Sequence, residues 1–290
     1  MNRIPALCIG TANFGKKYGI LNRNEQIPSK DIPEIFKEMI QKNVEFLDTA
    51  PGYGDSETII GQYSNLTNKM KVITKIGLLD NNRSKPIHDS VNASLERMNM
   101  SKIWGLLIHN TKILFDGDSK KLIEEFKEMK DKGLVERIGA SVYSEIELER
   151  VLDIFSDLDL IQIPENVCDQ SKFDSNLLIN LKSANVEIFV RSIFLQGILL
   201  NEFDELPKIF NEYEFDVQSF FRTCRKTGRS PKEICLDYAK SIPWCTGVVV
   251  GVDSISQLVE VSGKYFQKTE LDRKLFKRFP NWLLDPRNWS

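Results

Sequence analysis

Residues 103–141, IWGLLIHNTKILFDGDSKKLIEEFKEMKDKGLVERIGAS, contain the unit that decides the fold. A continuous apolar run occupies 103–109, which is typical of a strand that is buried on both faces. Apolar residues then recur at helical spacing over 122–129, and Gly133 is a signal for the end of a helix. A second buried strand is predicted at 135–141. A strand, a helix and a strand in this order indicate two parallel strands joined by a crossover.

The same alternation extends through the chain. Eight strand-like runs are predicted, at 6–10, 44–48, 71–75, 103–109, 135–141, 159–163, 186–191 and 247–251. Amphipathic patterns separate the runs, and helix-start signals are found at Ser29, Ser144 with Glu147, Asp174 and Ser254. Eight such units in roughly 250 residues favour an α/β fold of the (β/α)8 TIM-barrel type over a doubly wound sheet. The glycine-rich turn of the doubly wound fold, G-x-G-x-x-G, does not follow the first run.

The runs predict a single domain over residues 1–290, with a barrel core over about 6–265 and a C-terminal tail over 266–290. The last two runs start 61 residues apart, which is more than one crossover helix needs. We therefore predict a loop insertion followed by helix at 192–232, after strand 7. This is the face at which such barrels carry their chemistry.

Composition and charge exclude several classes of function. The 290 residues include 39 Lys and Arg against 41 Asp and Glu, and this net charge of −2 argues against a nucleic acid partner. No run approaches the ~18 apolar residues of a membrane span, and the N-terminus lacks a secretory pattern. We therefore expect a cytoplasmic protein with no membrane partner. Five cysteines without a CxxC pair and only two histidines predict neither a metal site nor a disulfide framework.

Polar residues end most of the predicted strands. Asp48, Lys75 and His109 end the second, third and fourth runs, and Tyr53 follows Asp48 in a loop. The fifth, sixth and seventh runs carry polar residues at or near their ends, namely Ser141, Gln162 and Arg191. Because the C-terminal ends of barrel strands surround one mouth, we predict that these side chains converge on one site.

Each of these residues, taken alone, also has a structural explanation. An isolated Asp48 starts a turn, an isolated Lys75 is a solvated strand end, and an isolated His109 belongs to the core. Their positions at consecutive strand ends favour a catalytic site. With Tyr53 they suit proton transfer to a carbonyl oxygen, since the Lys75 ammonium is expected to lower the pKa of the phenol. The Asp48 carboxylate would keep Lys75 charged, and His109 would hydrogen-bond the substrate oxygen.

Several short motifs in the sequence match the pattern of one protein family. They are Gly10-Thr11, Asp48-Thr-Ala-x-x-Tyr53-Gly with Ser56-Glu57, Thr74-Lys75, Leu107-Ile-His109, Gly139-Ala-Ser141, Gln162 and Gly197-x-Leu199. Through these motifs the sequence resembles the aldo-keto reductases, a family of nicotinamide-dependent (β/α)8 barrels. The resemblance covers residues from about 6 to about 262.

The resemblance implies a role for each motif residue. Tyr53 is the general acid, Asp48 and Lys75 tune it, and His109 orients the carbonyl. Ser141 and Gln162 would hold the nicotinamide carboxamide. The full set of residues that the resemblance assigns to the cofactor is Gly10, Thr11, Ala12, Asp48, Ser141, Gln162, Arg191, Ser192, Leu195, Gly197, Gly251, Ser254 and Gln257.

The resemblance bears on the choice of cofactor at the adenosine end. Gly251 and Gln257 replace two basic residues that commonly bind a 2′-phosphate in the family. Asp253 would either repel that phosphate or cap a helix, whereas backbone N–H groups at the helix that Ser254 opens can still receive a phosphate. The loss of the two basic residues should weaken a preference for NADP(H), but other members of the family keep NADP(H) with different residues. The resemblance therefore favours NADP(H) as cofactor, with NAD(H) as the alternative. The preference for NADP(H) is expected to stay under ~100-fold.

The function predicted from these observations is NAD(P)H-dependent reduction of an aldehyde or ketone, a small-molecule carbonyl. The segments around Lys16 and Arg191 are similar to a bacterial branch associated with surface polysaccharides, which suggests a sugar-like substrate. The alternative function is a cofactor-binding accessory or regulatory barrel with little turnover. Candidate substrate-selecting residues are Phe14, Tyr18, Tyr143, the 192–232 insertion, and Trp282 and Trp289 of the tail, which either cap the mouth or pack outside the barrel. The sequence makes no prediction of the oligomeric state.

Overall fold

Eight parallel strands form a closed barrel in the order in which they occur along the chain. A computed structural model describes residues 4–21, 26–76, 87–115, 118–267 and 270–289. The strands are β1 (Ala6–Gly10), β2 (Phe46–Asp48), β3 (Lys71–Ile76), β4 (Ile103–Ile108), β5 (Val135–Ser141), β6 (Leu160–Pro164), β7 (Glu187–Arg191) and β8 (Gly247–Gly251). Each boundary lies within two residues of the predicted one. The (β/α)8 prediction is therefore confirmed.

Helices cover the outside of this barrel. Their bounds are α1 (Ala12–Gly15), α2 (Ile32–Gln41), α3 (Ser56–Gln62), α4 (Ser64–Thr67), α5 (Ile87–Met98), α6 (Lys112–Phe115), α7 (Ser119–Asp131), α8 (Glu145–Leu152), α9 (Asn176–Ser183), α10 (Glu214–Thr227), α11 (Pro231–Ser241), α12 (Ile255–Tyr265) and α13 (Asn281–Leu284). Short 3₁₀ turns occupy Leu195–Leu200, Phe203–Glu205, Lys208–Tyr213, Arg273–Leu275 and Pro286–Asn288. In the described part of the chain, every helix is too short or too polar to span a membrane.

The predicted helix starts are partly confirmed. The Ser254 hydroxyl accepts the N–H of Gln257 and caps α12 as predicted. Ser144 caps α8 in the same way, but the Glu147 carboxylate of the expected capping box bonds to the N–H of Tyr143, one residue earlier. The other two predicted starts, at Ser29 and Asp174, lie two residues and one residue before the observed N-terminal flanking residues, Asp31 and Ser175.

The prediction that Ser29 caps α2 is wrong. Residues 28–31 form a turn in which the Asp31 N–H bonds to the Pro28 carbonyl, so the helix begins only at Ile32. Pro33 in the first turn needs no N–H partner there and suits this later start. At α9 the cap is Ser175, whose hydroxyl accepts a backbone N–H, and the preceding Asp174 lies outside the helix.

The interior of the barrel is a small apolar cluster of its own. Six buried side chains fill it, those of Cys8, Phe46, Ile73, Leu107, Leu160 and Phe189. Gly105 and Gly247 leave the space that two of these occupy, because an added Cβ would lie 2.6 Å from Leu160 and 2.4 Å from Phe189. Since side chains alternate along a strand, the residue two positions after each interior residue also points inward, one layer nearer the mouth.

The insertion after β7 is more regular than predicted. Residues 192–232 contain three 3₁₀ turns and all of α10, and α11 begins at Pro231, so two helices account for the long interval. The tail packs on this insertion. Trp282 stacks on Tyr213 with ring centroids 5.1 Å apart, and Trp289 contacts Phe210 edge-on at 5.2 Å. Of the two placements considered for the tail tryptophans, the structure shows packing against the outside of the barrel.

Candidate active site

The polar residues at the strand ends face one cavity, because side chains alternate along each strand and the residues one layer above the apolar interior also point inward. Asp48, Lys75, His109, Gln162 and Arg191 each stand two residues after an interior side chain. The cavity has a volume of about 280 Å³. Thirteen of the predicted site residues line it: Gly10, Ala12, Asp48, Tyr53, Lys75, His109, Ser141, Gln162, Arg191, Ser192, Gly197, Gly251 and Gln257. The convergence expected from the sequence is therefore present.

Three residues assigned to the cofactor do not line the cavity, namely Thr11, Leu195 and Ser254. The Thr11 side chain is fully buried, where its hydroxyl donates to the Asp48 carbonyl at 3.0 Å. Leu195 is buried in the outer core. The Ser254 hydroxyl is used as the cap of α12. These side chains support the walls of the cavity, and their proposed contact with a cofactor stays a prediction.

Asp48 and Lys75 form a buried ion pair at the floor of the cavity. The Lys75 Nζ lies 2.6 and 2.7 Å from the two Asp48 carboxylate oxygens, and it also donates to the Thr49 carbonyl at 3.1 Å. Only 2% of Lys75 and 4% of Asp48 is exposed. The Gln162 amide donates its N–H to the same carboxylate. All three donors of the ammonium and most of the acceptor capacity of Asp48 are thereby used.

The bond from Gln162 to Asp48 fixes the orientation of the Gln162 amide. A carboxylate can only accept, so the amide nitrogen must face Asp48 and the amide oxygen must face away. That oxygen, Gln162 Oε1, is buried and has no hydrogen-bond partner among the described residues. A buried acceptor without a partner is rare, and this one lies in the cavity wall. It can accept a hydrogen bond from a ligand.

Two glycines allow the backbone to approach closely around Tyr53. Gly54 has a φ of +61°, and a Cβ at this position would lie 2.3 Å from the Gly15 carbonyl oxygen. A Cβ on Gly15 would in turn lie 2.0 Å from the Tyr53 carbonyl oxygen. The loops after β1 and β2 therefore meet backbone to backbone. This contact places the phenol between Lys75 and His109. The Lys75 Nζ lies 5.2 Å from the centroid of the Tyr53 ring, and the His109 ring is edge-on to it with centroids 6.2 Å apart.

Burial sets the protonation of the tyrosine. It raises the pKa of Tyr53 well above its usual value, the Asp48 charge raises the pKa further, and Arg191 opposes the shift. The expectation that Lys75 gives Tyr53 a lowered pKa is therefore wrong in direction. The ammonium is matched by Asp48 at hydrogen-bond distance, so its charge does little for the phenolate. The Tyr53 phenol is therefore neutral at neutral pH.

His109 is also neutral. Burial lowers its pKa to about 4, and the Lys75 charge lowers it in the same direction, whereas Asp48 opposes the shift. A neutral imidazole beside a neutral phenol can bind an oxygen atom without placing a second positive charge in the cavity. Among the described residues, no group of three or more His, Cys, Asp or Glu side chains could hold a metal ion.

Arg191 lies over the ring of Tyr143, with its guanidinium carbon 4.2 Å from the centroid. One terminal nitrogen donates to the Val142 carbonyl at 3.1 Å, but the Nε is buried and has no partner in the part of the chain that the structure describes. Arg287 of the tail lies 3.8 Å from the same ring. Arg287 could not be predicted from the sequence, since nothing local in the tail shows that it returns to this strand end. The tail therefore approaches the mouth through an arginine, while its tryptophans stay outside.

Loops form the rim of the cavity. Of the candidate substrate-selecting residues near the N-terminus, Tyr18 lines the cavity 6.1 Å from the Tyr53 ring, whereas Phe14 is buried in the outer core. On the other side of the rim the backbone has positive φ at four positions, Ser192 (62°), Leu195 (48°), Gln196 (50°) and Gly197 (97°). An added Cβ on Gly197 would contact Leu21 at 3.5 Å, so the two rim segments meet across the cavity.

Residues of β8, α11 and α12, with the turn before α12, line another part of the cavity. Gly251 and Gln257 line it as predicted, but the Gln257 side chain accepts the Asp253 N–H at 3.0 Å and so also holds the turn before α12. Asp253 and Lys232 line this part as well. Lys232 was missed, although the Ser230-Pro231 start of α11 is a sequence signal that places it in the first turn of a helix.

Comparisons with known proteins agree with this arrangement. The sequence profile described as "Aldo/keto reductase family" matches residues 6–280. A D-arabinose 1-dehydrogenase of Saccharomyces cerevisiae is 27% identical over 150 residues, which are 48% of this chain but only 43% of that protein. An L-galactose dehydrogenase of Arabidopsis thaliana is 22% identical over 277 residues, 89% of this chain and 83% of that protein.

Solved structures show the same fold. An aldo-keto reductase of Bacillus halodurans, in its holo form, superposes with a TM-score of 0.74 at 18% identity, covering 98% of this chain and 95% of that one. A glycerol dehydrogenase of Gluconobacter oxydans superposes with a TM-score of 0.69 at 21% identity, covering 94% and 92%. Given the match over nearly its whole length, the chain belongs to the aldo/keto reductase family of oxidoreductases.

Proposed function

We propose that this protein reduces the carbonyl group of a sugar-like aldehyde or ketone with NAD(P)H, and that Tyr53 is the general acid. The observation that carries the proposal is the grouping of a buried neutral phenol, a neutral imidazole and a closed Lys75–Asp48 ion pair on one cavity. The intact grouping favours turnover over an accessory barrel that only binds a cofactor.

The cavity fits a nicotinamide cofactor in two ways. Its wall contains a buried acceptor and a buried donor without partners in the described ranges of the chain, Gln162 Oε1 and Arg191 Nε, which match an amide N–H and an anionic oxygen. An added Cβ on Gly251 would contact nothing within 4 Å, so there is open space where β8 leads to the N-terminus of α12. Backbone N–H groups at that end can receive a phosphate. When bound, the nicotinamide supplies the hydride.

The residues of the chain would then divide the remaining work. The Tyr53 hydroxyl donates its proton to the carbonyl oxygen, and His109 hydrogen-bonds the same oxygen and orients it. Lys75 and Asp48 hold the floor beneath the phenol through their ion pair. Burial keeps Tyr53 protonated until a substrate oxygen becomes basic enough to take the proton.

Ser141 and Gln162 are proposed to bind the carboxamide, and Arg191 to bind near the cofactor phosphates or stack on the ring. All three line the cavity on neighbouring strands, β5, β6 and β7. The relatives named as dehydrogenases of D-arabinose, L-galactose and glycerol support a polyhydroxylated substrate. We favour NADP(H) over NAD(H) as the cofactor.

The experiment is a comparison of wild type with Tyr53→Phe. Consumption of NADPH is followed with glyceraldehyde, and formation of NADPH from NADP⁺ with D-arabinose and L-galactose. We expect Tyr53→Phe to lower the rate by on the order of 10²–10⁴ and to leave the cofactor dissociation constant unchanged, because the phenol is the proton donor. If the variant keeps more than half of the wild-type rate while chemistry limits turnover, Tyr53 is not the acid. If the wild type binds cofactor without turning over any carbonyl, the accessory role replaces the enzyme.

A further inference from the structure

Lys232 places a positive charge on the wall of the cavity beside α12. It lies in the first turn of α11, and 18% of its side chain is exposed. Its partner Glu260 is followed on α12 by Val261, which also lines the cavity. The strand-end pattern that located the other site residues does not extend to helix α11.

The geometry determines which part of a dinucleotide meets Lys232. Hydride transfer to a carbonyl held by Tyr53 requires the nicotinamide ring at that end of the cavity. The phosphates would then lie toward Gly251 and the start of α12, where backbone N–H groups can receive them. The adenosine and its ribose would extend along α12, where Val261 lines the cavity and Lys232 pairs with the neighbouring Glu260.

The charges around Lys232 leave it able to take a ligand. Its ammonium pairs with Glu260, whose side chain is 44% exposed. Glu260 is shared with Lys264, which lies 3.8 Å from it and also pairs with Glu233 at 3.1 Å. Because the Glu260 side of this pair is exposed to solvent, the pair contributes little, and the ammonium can turn part of its hydrogen bonding to another anion at small cost. Glu260 in that case keeps Lys264 as its partner.

A second charge on this part of the cavity wall acts in the opposite sense. Asp253 lines the cavity before α12, and its carboxylate accepts a hydrogen bond from the Ser254 hydroxyl at 3.0 Å. A carboxylate near the ribose repels a phosphate there and suits a free hydroxyl. The selectivity of the site is therefore set by the balance of one lysine and one aspartate.

We propose that Lys232 is the residue that selects a 2′-phosphorylated adenosine ribose, and hence NADP(H) over NAD(H), against the opposing charge of Asp253. This inference rests on the proposed function. It would supply a cation for the 2′-phosphate in a chain whose β8–α12 turn carries Gly251 and Gln257 and no basic residue.

The test measures binding and does not depend on turnover. Dissociation constants for NADPH and NADH are determined by fluorescence titration of wild type and Lys232→Met, and those for adenosine 2′,5′-bisphosphate and AMP by calorimetry. Lys264→Met is the matched control, because it removes a lysine that shares Glu260 but does not line the cavity. Lys232→Met should weaken binding of NADPH and of the bisphosphate about tenfold, equivalent to ~1.4 kcal/mol, with NADH and AMP changed less than twofold.

The outcomes separate the two proposals. If Lys232→Met weakens NADPH and NADH equally, changes neither, or is matched by Lys264→Met, the assignment of Lys232 is overturned while the proposed function stands. If wild type binds neither dinucleotide, the proposed function fails and this inference fails with it. Unchanged NADH binding in Lys232→Met also serves as the check that the variant is folded.

Discussion

The buried ion pair of the site makes a prediction about stability. Lys75→Met removes the cation bonded to Asp48 and leaves a carboxylate that is 4% exposed, for which the described residues offer the Gln162 amide as the other side-chain partner. Breaking a buried pair by removing one partner costs about 3–5 kcal/mol, since the other charge stays behind unpaired. For a chain of this size that corresponds to a loss of roughly 6 °C or more in melting temperature.

The pair is best measured by a double-mutant cycle in urea or thermal unfolding. Asp48→Asn and Lys75→Met are made singly and together, and Lys71→Met serves as a control. Lys71 is paired with Glu45 at 3.3 Å on the surface, so its loss should cost under ~1 kcal/mol. The double variant should be at least about 2 kcal/mol more stable than the sum of the single effects predicts, because it removes both charges.

Two outcomes of these measurements would contradict the predicted coupling of Asp48 and Lys75. Additivity of the two substitutions within about 0.5 kcal/mol would mean that Asp48 and Lys75 are not energetically coupled, and the reasoning from their 2.6 Å contact would fail. A loss in Lys75→Met no larger than in Lys71→Met would have the same meaning.

Two further predictions concern the acid and its loop. Since the pKa of Tyr53 is raised and that of His109 is lowered to about 4, the phenol stays protonated and the imidazole stays neutral between about pH 6 and pH 9. We expect kcat/KM for reduction to be flat over this range when chemistry limits it, and an inflection near neutrality that disappears in His109→Gln would contradict the assignment. Gly54→Ala should destabilise the fold by about 1–3 kcal/mol and lower the reduction rate, because its φ is +61° and the new Cβ would meet the Gly15 carbonyl. Unfolding and rate measurements check this, and a variant with wild-type stability and rate would show that the contact of the two loops does not position Tyr53.

The sequence was sufficient for the fold and for the inward-facing residues of the site. Both follow from the alternation of side chains along buried strands, so a polar residue two positions after an interior apolar one, such as Asp48 after Phe46, is predictable from local pattern. The placement of side chains outside the strands is harder to predict. Thr11 lies next to a strand end but turns into the wall, and no local pattern records that choice.

Other features depend on long-range packing. Arg287 reaches the Tyr143 ring from a tail far along the chain, and Lys232 reaches the cavity because α11 packs beside α12. The pKa of Tyr53 depends on how completely the phenol is buried and on how closely Asp48 matches the lysine charge. Sequence spacing predicts that these groups are neighbours, but their electrostatic balance follows only from distances.

The left-handed backbone on the rim has a consequence for how such a site can change its affinity. Ser192, Leu195 and Gln196 hold positive φ angles that side-chain-bearing residues rarely adopt, and each costs on the order of 1–3 kcal/mol. That energy is comparable to a tenfold change or more in a dissociation constant. A ligand that holds the rim in this shape must supply part of it. Glycine at one of these positions would therefore tighten binding without adding a single contact, so in this barrel affinity can evolve through the backbone while the chemistry of the cavity wall stays fixed.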